Sequence, residues 1–341
     1  MSTHAFEENA MSITSRATRI ALAIALSGVA TGAAAVAQRT FVASNGSDAN
    51  VCTIAAPCRS FGAAITQTSP GGEVIVLDSA GYGPVTISQP VSIIAPAGVY
   101  AGVSVLSGTG ITVNAGGGVV RLSGLTINSL GGNIGIDYVA GSRLYLDSVI
   151  VSGFSLTGAS AAIRANLAAS GTLNIREAAL RDSANGLTGS ASSGTLTVEI
   201  EKSAFERNVI GLNLRDGTAG VIEGSTFTDG TVGIAADPPT AGKTSSFEVW
   251  NSLVANNATN GVQSGANANA PAFVSLISSL ITGNNTGVLA VANPVYCSDN
   301  TISRNASGVA LVTGGTAQTA QDNAVANNGA TAAFTSTVPK L

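Results

Sequence analysis

Histidine is almost missing from this chain: the one imidazole in 341 residues is His4. Lysine occurs only at Lys202, Lys243 and Lys340, tryptophan only at Trp250, and charged residues make up 10% of the chain. Each scarcity excludes something. Without histidine beyond residue 4 there is no Ser-His-Asp or Cys-His catalysis and no histidine-based zinc site. With a net charge of −4, a pI near 5.0 and the 15 Lys and Arg scattered, there is no basic stripe to follow phosphates, so nucleic acid is not an expected partner. Leu, Lys and Glu are too sparse for long helices. What is abundant is glycine, at 41 positions, together with Ser, Thr, Asn and Val, and mean hydropathy is positive at +0.36. Disorder needs low hydrophobicity and high net charge, so many short strands joined by tight turns are expected instead.

Residues 1–37 read as a secretory leader, with 11–37 as the signal proper and either Met1 or Met11 as the start. Arg16 and Arg19 supply the basic region, Ile20 to Leu26 opens the apolar stretch, and Ala35-Val-Ala37 offers a small-x-small cleavage site before Gln38. The apolar stretch is shorter than the roughly 20 residues of a membrane helix and breaks at Gly28 and Gly32, which argues against an uncleaved anchor. The expected location is secreted, periplasmic or cell-surface, with no stable transmembrane anchor after cleavage. Cleavage would also remove His4. Cys52 and Cys58, six apart, read as a disulfide loop in an exported chain; a metal site there lacks other soft ligands. The third cysteine, Cys297, is considered below.

From about residue 118 the chain is self-similar. One apolar anchor per unit aligns as Ile127, Val151, Leu180, Phe205, Phe227, Val254, Ile281, Ile302 and Val325, spaced 21 to 29 residues apart with a mean of about 25. Seven and five residues before seven of the nine anchors stand inward-alternating pairs such as Val120/Leu122, Leu144/Leu146, Leu173/Ile175 and Val295/Cys297. Cys297 therefore reads as a buried small hydrophobe. Seven residues after the anchor comes another apolar position, as at Leu187, Leu212, Ile234, Val288 and Val309, usually preceded by glycine, which suits a turn with unusual φ. Val262 and Ile136 fit the row with one and two inserted residues. Three residues after the anchor runs an asparagine column, Asn208, Asn257, Asn284, Asn305 and Asn328, interrupted by Gly230; stacked amides there are expected to bond to one another and to turn backbone.

These patterns predict an all-β chain: a right-handed parallel β-helix of three-strand coils of about 25 residues over 72–341, behind an amino-terminal cap over 38–71. The cap is expected to hold the Cys52–Cys58 loop and a short helix within 59–68 that presents Phe61, Ala64 and Ile65. No matching cap is visible at the other end, where residues from Phe334 trail off; that end is closed either by the tail or by a partner, including a second copy.

The segments Arg39-Thr-Phe-Val-Ala-Ser, Pro57-Cys-Arg-Ser-Phe61, Pro70-Gly-Gly-Glu-Val-Ile-Val-Leu77 and Gly81-Tyr-Gly-Pro-Val-Thr-Ile87 resemble the opening of exported right-handed β-helix repeat proteins. Later units such as Asp299 to Val309 are similar to generic repeats of the pectin-lyase-like superfamily. The resemblance covers nearly all of 39–341 and is specific for fold rather than activity. It implies that a hydrolase of the polygalacturonase type would need paired Asp groups and a histidine, and that a pectate-lyase-like enzyme would need a carboxylate-rich Ca²⁺ site and an Arg or Lys base. Neither set is recognisable here, so no metal and no cofactor is expected.

Stacking still gathers distant residues. Two positions after the anchor lie Asp182, Arg207 and Asp229; four before it lie Asp147, Arg176, Glu201 and Glu223. The first trio is the candidate catalytic set, since carboxylates can hydrolyse glycosides and an arginine can take a proton. Against it stands a plain alternative, surface charges of alternating sign that relieve repulsion between neighbouring coils. Trp250 and Tyr296, with Tyr145 in the row of Tyr296, are the candidate sugar platforms; packing under a loop is their other use. The sequence thus favours an exported non-catalytic β-helix, a surface or envelope scaffold that binds a polysaccharide, an envelope component or a protein along a sheet face. The alternative is a polysaccharide lyase or glycoside hydrolase.

Overall fold

The computed structural model describes residues 37–265 and 267–339. The expected leader, apart from Ala37, lies outside the described residues. Among the described residues no helix is long and apolar enough to cross a membrane. The chain winds repeatedly through three parallel sheets: sheet A with 13 strands, sheet B with 11 and sheet C with 10. In each coil it passes from A to B to C and back to A, as in Val119–Ser123, Leu125–Ser129 and Ile134–Ala140 before Arg143–Asp147.

The register is the one the anchors predict. Ile127, Val151, Leu180, Phe205, Phe227, Val254, Ile281, Ile302 and Val325 are successive neighbours in sheet B. The inward residues of sheet A stack likewise, from Leu122 through Leu146 and Ile175 to Cys297. In sheet C, Ile136 neighbours Ile163, which neighbours Leu187. Ile163 is the partner missing seven residues after Val151. It arrives twelve residues later because residues 154–160 form an inserted loop, pinned by the fully buried Phe154. These side chains form one continuous core running coil to coil.

Both tight corners follow one rule. The first residue takes a left-handed φ and points out; the second points in. At the A–B corner the outward residues include Ser148, Glu177, Lys202, Gly224, Asn251, Ser278 and Asp299. At the B–C corner they are Gly153, Asp182, Arg207, Asp229, Asn256, Gly283, Arg304 and Asn327. Left-handed φ is uncommon for a residue with a Cβ, so each corner needs support from within. At the B–C corner that support is the asparagine column. The Oδ1 of Asn284 accepts from the backbone N–H of Asn257 at 2.9 Å, and Asn305 and Asn328 do the same for Asn284 and Asn305. At the A–B corner a second ladder, unread in the sequence, does this work. Ser203, Ser225, Ser252 and Ser279 each accept from the backbone of the coil before, and Asn300 continues the series.

The glycines before the sheet C anchors need a different explanation from the one the sequence suggested. Gly186, Gly211, Gly233, Gly261, Gly287 and Gly308 do not have left-handed φ. They are glycine because adjacent coils approach too closely for a side chain. A Cβ on Gly261 would lie 2.6 Å from the carbonyl oxygen of Gly287 and 2.9 Å from the Asn284 amide. Gly261→Ala is expected to destabilise by about 1–3 kcal/mol, as overpacking in a rigid interior does, read as a lower denaturant midpoint at unchanged slope.

The amino-terminal end is closed by helix α1, Phe61–Gln67, whose Phe61, Ala64 and Ile65 are buried. Ser60 caps it, accepting from Ala63 N–H at 3.2 Å. Asp48 in turn accepts from the N–H groups of Arg59 and Ser60, each at 2.8 Å, and Cys52 is bonded to Cys58. The strand Ala37–Val42 precedes all this and lies in sheet A beside Thr68–Val76. At the other end the tail winds on through one more turn: Ser336–Thr337 pairs parallel with the strand Thr316–Thr319, and Phe334 packs against the core.

Candidate functional site

The outer face of sheet A carries a groove of about 610 Å³ crossing the coils between Arg121 and Glu223. Period two along each strand and parallel register between strands assemble it. One outward row reads Arg121, Tyr145, Asn174, Glu199, Val221, Glu248, Ser275 and Tyr296. The next reads Asp147, Arg176, Glu201, Glu223, Trp250 and Ile277. Neighbours in a row are one strand spacing apart, about 4.8 Å.

The groove is basic and aromatic at one end. Arg121 bonds Asp147 at 2.5 Å, and Arg176 approaches the other oxygen of Asp147 at 3.6 Å. The Arg121 guanidinium lies over the Tyr145 ring at 4.3 Å, while Arg143 donates to the Tyr145 hydroxyl at 3.0 Å. Toward the middle the face turns acidic with Glu199, Glu201 and Glu223. Asn174 donates to Glu199, and Lys202 bonds Glu201 at 2.9 Å. That hydrogen bond, with the charge behind it, holds the Glu201 carboxyl below the usual carboxylate range. The buried Oδ1 of Asn174 has no hydrogen-bond partner.

A second depression of about 350 Å³ adjoins the first, sharing Val221, and is lined by Glu248 and Phe273. Phe273 is 52% exposed. It was not singled out in the sequence, although its place eight residues before Ile281 makes it outward by the same alternation. Trp250, 37% exposed, stands on this face and donates from Nε1 to Glu248 at 3.3 Å. Tyr296 lies two coils further on, one row over. Sheet A therefore brings Tyr145, Trp250, Phe273 and Tyr296 onto one face without stacking them in one line.

Asp182, Arg207 and Asp229 are elsewhere, at the outward left-handed positions of the B–C corner. Arg207 forms a two-pronged ion pair with Asp182, at 2.7 and 3.0 Å, and reaches Glu206 at 3.7 Å. The Asp182 bond raises the Arg207 pKa further, so the guanidinium stays charged. Asp229 accepts from Asn256 at 3.4 Å. None of the three lines the sheet A groove. Their geometry is that of a solvated charge ladder, which contributes little. Arg207→Gln is expected to leave the unfolding midpoint and any glycan retention close to the parent protein, measured side by side.

Cys297 points inward, fully buried between Leu276 and Thr319, and burial pushes its thiol up to about 12. It is a packing residue, not a thiolate nucleophile. Among the described residues no three His, Cys, Asp or Glu side chains converge as a metal site.

No protein-family model matches this sequence, and no curated protein sequence matches it. Solved structures do. A pectate lyase, Pel9A, superposes with a TM-score of 0.52 at 16% identity, over 87% of this chain and 79% of its own. XylC, solved with xylose, gives 0.53 at 7% identity, over 80% and 69%. The GH136 lacto-N-biosidase from Eubacterium ramulus gives 0.51 at 9% identity, over 88% and 67%. At such identities the likeness is one of fold.

Proposed function

We propose that this chain, a parallel β-helix of the pectin-lyase-like type, is an exported, non-catalytic scaffold that binds a polysaccharide of the cell envelope or its surroundings along sheet A. The observation that carries the proposal is the outer face itself. Two adjoining concavities, exposed aromatic rings and a graded set of charged and amide groups run across successive coils in rigid register. Sugars are held by such combinations of ring faces and hydrogen-bonding groups. The superposed structures named for a pectate lyase, a xylose complex and a lacto-N-biosidase favour a carbohydrate ligand.

The non-catalytic part rests on the state of the polar groups. A general acid needs a raised pKa to keep its proton at neutral pH. Here Glu201 is shifted the other way, kept ionised by its bond to Lys202. The Cys52–Cys58 bond fits an oxidising compartment, which supports export. The alternative, a lyase or hydrolase, would draw on Glu199, Glu201 and Glu223, of which Glu201 and Glu223 are direct register partners.

The test is a panel of acidic and neutral polysaccharides, with and without Ca²⁺, scored for retention of the purified protein and for products. Retention that weakens in Trp250→Ala, with neither unsaturated products nor new reducing ends, is expected. Product formation would replace the scaffold with the enzyme. A folded protein retained by nothing on the panel would end the glycan reading.

A further inference from the structure

Sheet C carries a different concavity, of about 430 Å³, on another side of the coil. Three features point to a ligand. First, it has a built wall. The inserted loop 154–160 contributes Gly158 and Ala159 to the lining. The loop is tied down at both ends: Ala184 N–H donates to the Ser155 carbonyl at 2.6 Å, and Asn185 donates to the Ser160 carbonyl through both its backbone N–H and its side-chain amide, each at 3.2 Å. Insertions in a repeat array rise over one face and there make a site out of an otherwise flat sheet.

Second, the lining is rich in donors and holds no carboxylate. Its charged groups are Arg164 and Arg215; the polar remainder is Asn166, Asn185, Thr188, Ser190 and Asn213. Arg164 spends Nε and Nη2 on Asp137, at 2.9 and 2.6 Å. That carboxylate, buried and next to Arg164 in the same row of sheet C, fixes the guanidinium in place. Arg215 has no acceptor for its guanidinium among the described residues. Its acidic neighbour Asp216 is taken by Thr240, through N–H at 3.1 Å and hydroxyl at 2.6 Å. A guanidinium offers five donors in a planar fork suited to an oxyanion.

Third, one acceptor is stranded. The Oδ1 of Asn213 is buried without a hydrogen-bond partner. Its register neighbour is Thr188, which neighbours Arg164 in turn. A buried acceptor left unpaired is costly, and a ligand hydroxyl would satisfy it.

We propose that this sheet C groove binds an oxyanion carried on a hydroxylated sugar, the carboxylate of a uronic residue or a sulfate ester. Arg215 is the principal cation, Arg164 a pre-positioned second one, and Asn213 and Thr188 receive the sugar hydroxyls. The site goes beyond the sheet A face and does not depend on it: a protein that binds nothing on sheet A would still bind here.

Calorimetric titration of the folded protein tests this with three oligosaccharides of equal length: an oligogalacturonate, a sulfated galactan fragment and an uncharged galactan fragment. Binding of at least one acidic ligand is expected, with the uncharged one weaker by tenfold or more, and the stronger acidic ligand identifies which oxyanion is preferred. Arg215→Gln, at an exposed position whose loss leaves the fold intact by circular dichroism, is expected to weaken binding at least tenfold, as loss of a charge-assisted contact does. Thr188→Trp, which fills the groove from its floor, should do the same; the titrations are made in the Trp250→Ala background, which removes the sheet A contribution. In that background, equal affinity for the uncharged fragment, no binding of either acidic ligand, or unchanged affinity on adding Arg215→Gln or Thr188→Trp would each overturn the proposal.

Discussion

Asn284→Ala is expected to cost this protein about 3 kcal/mol or more, although the residue touches no ligand face. Asn284 is 2% exposed, and its side-chain amide is fully engaged. Nδ2 donates to the carbonyls of Val254 and Thr282 and to Asn305 Oδ1, at 3.1, 3.2 and 3.1 Å. Oδ1 accepts from the backbone N–H and the amide of Asn257, both at 2.9 Å. Alanine leaves the Asn257 N–H buried and unpaired, strips two carbonyls of a donor, and breaks the column in its middle. Each orphaned buried group costs about 1–3 kcal/mol. The left-handed φ values of Asn256 and of Gly283 lose their brace together. A denaturant midpoint, with hydrogen exchange mapped over residues 253–309, measures it. A loss below about 1 kcal/mol would mean that the corner backbone holds itself and the column is dispensable.

Phe61→Ala should be as damaging, through a different mechanism. Phe61 is wholly buried on the inner side of α1, with its ring centroid 5.2 Å from that of Tyr82, and it belongs to the continuous core. Truncating a buried phenylalanine costs about 3–5 kcal/mol. At the end of a stacked array the damage opens the core to water, so dye binding and fast exchange in Val74–Val76 and Val85–Ile87 should accompany it. The same region carries an acid sensitivity. Asp78 accepts from the Ser44 hydroxyl, from the Tyr82 hydroxyl and from the Ser44 N–H, which together hold its carboxyl below the ordinary value. A carboxyl depressed in the folded state stabilises above the usual carboxylate range, and that stability is lost as pH falls through the folded value. Exchange at residues 42–46 and 78–82 should therefore accelerate below about pH 4, ahead of the central coils. Uniform acceleration along the chain would assign the acid response to other carboxylates.

Much of the winding was legible without coordinates because a solenoid repeats its inward residues at nearly constant intervals. Nine anchors from Ile127 to Val325, the Cys52–Cys58 loop and the buried face of α1 all stand where the sequence placed them. What escaped had physical causes. Ile163 was hidden because the loop before it moved it out of phase. The Ser203–Ser225–Ser252–Ser279 ladder was invisible because serine reads as surface, and only register shows four of them pointing inward. The glycines before the sheet C anchors were assigned to unusual φ because a close approach between coils about 25 residues apart leaves no local trace. For the site, the alternating charges of the Asp182 column were visible, but not that a corner carries them. Phe273 and the Arg164–Arg215 groove needed lateral neighbours that depend on the length of every intervening turn.

The closed end at α1 also bears on how such a chain comes to be folded. Each strand pairs with one roughly a coil earlier and one a coil later, so no coil waits on a distant segment. The loop to be closed is of similar length at every step, and its entropic penalty is nearly constant along the chain. Topologies of this kind replace one large search with many equal small ones. The end at which growth is easiest to begin is the one already tied covalently by Cys52–Cys58 and filled by Phe61, Ala64 and Ile65. In synthesis or export from the amino terminus that end emerges first, and every later coil then finds a finished template waiting for it.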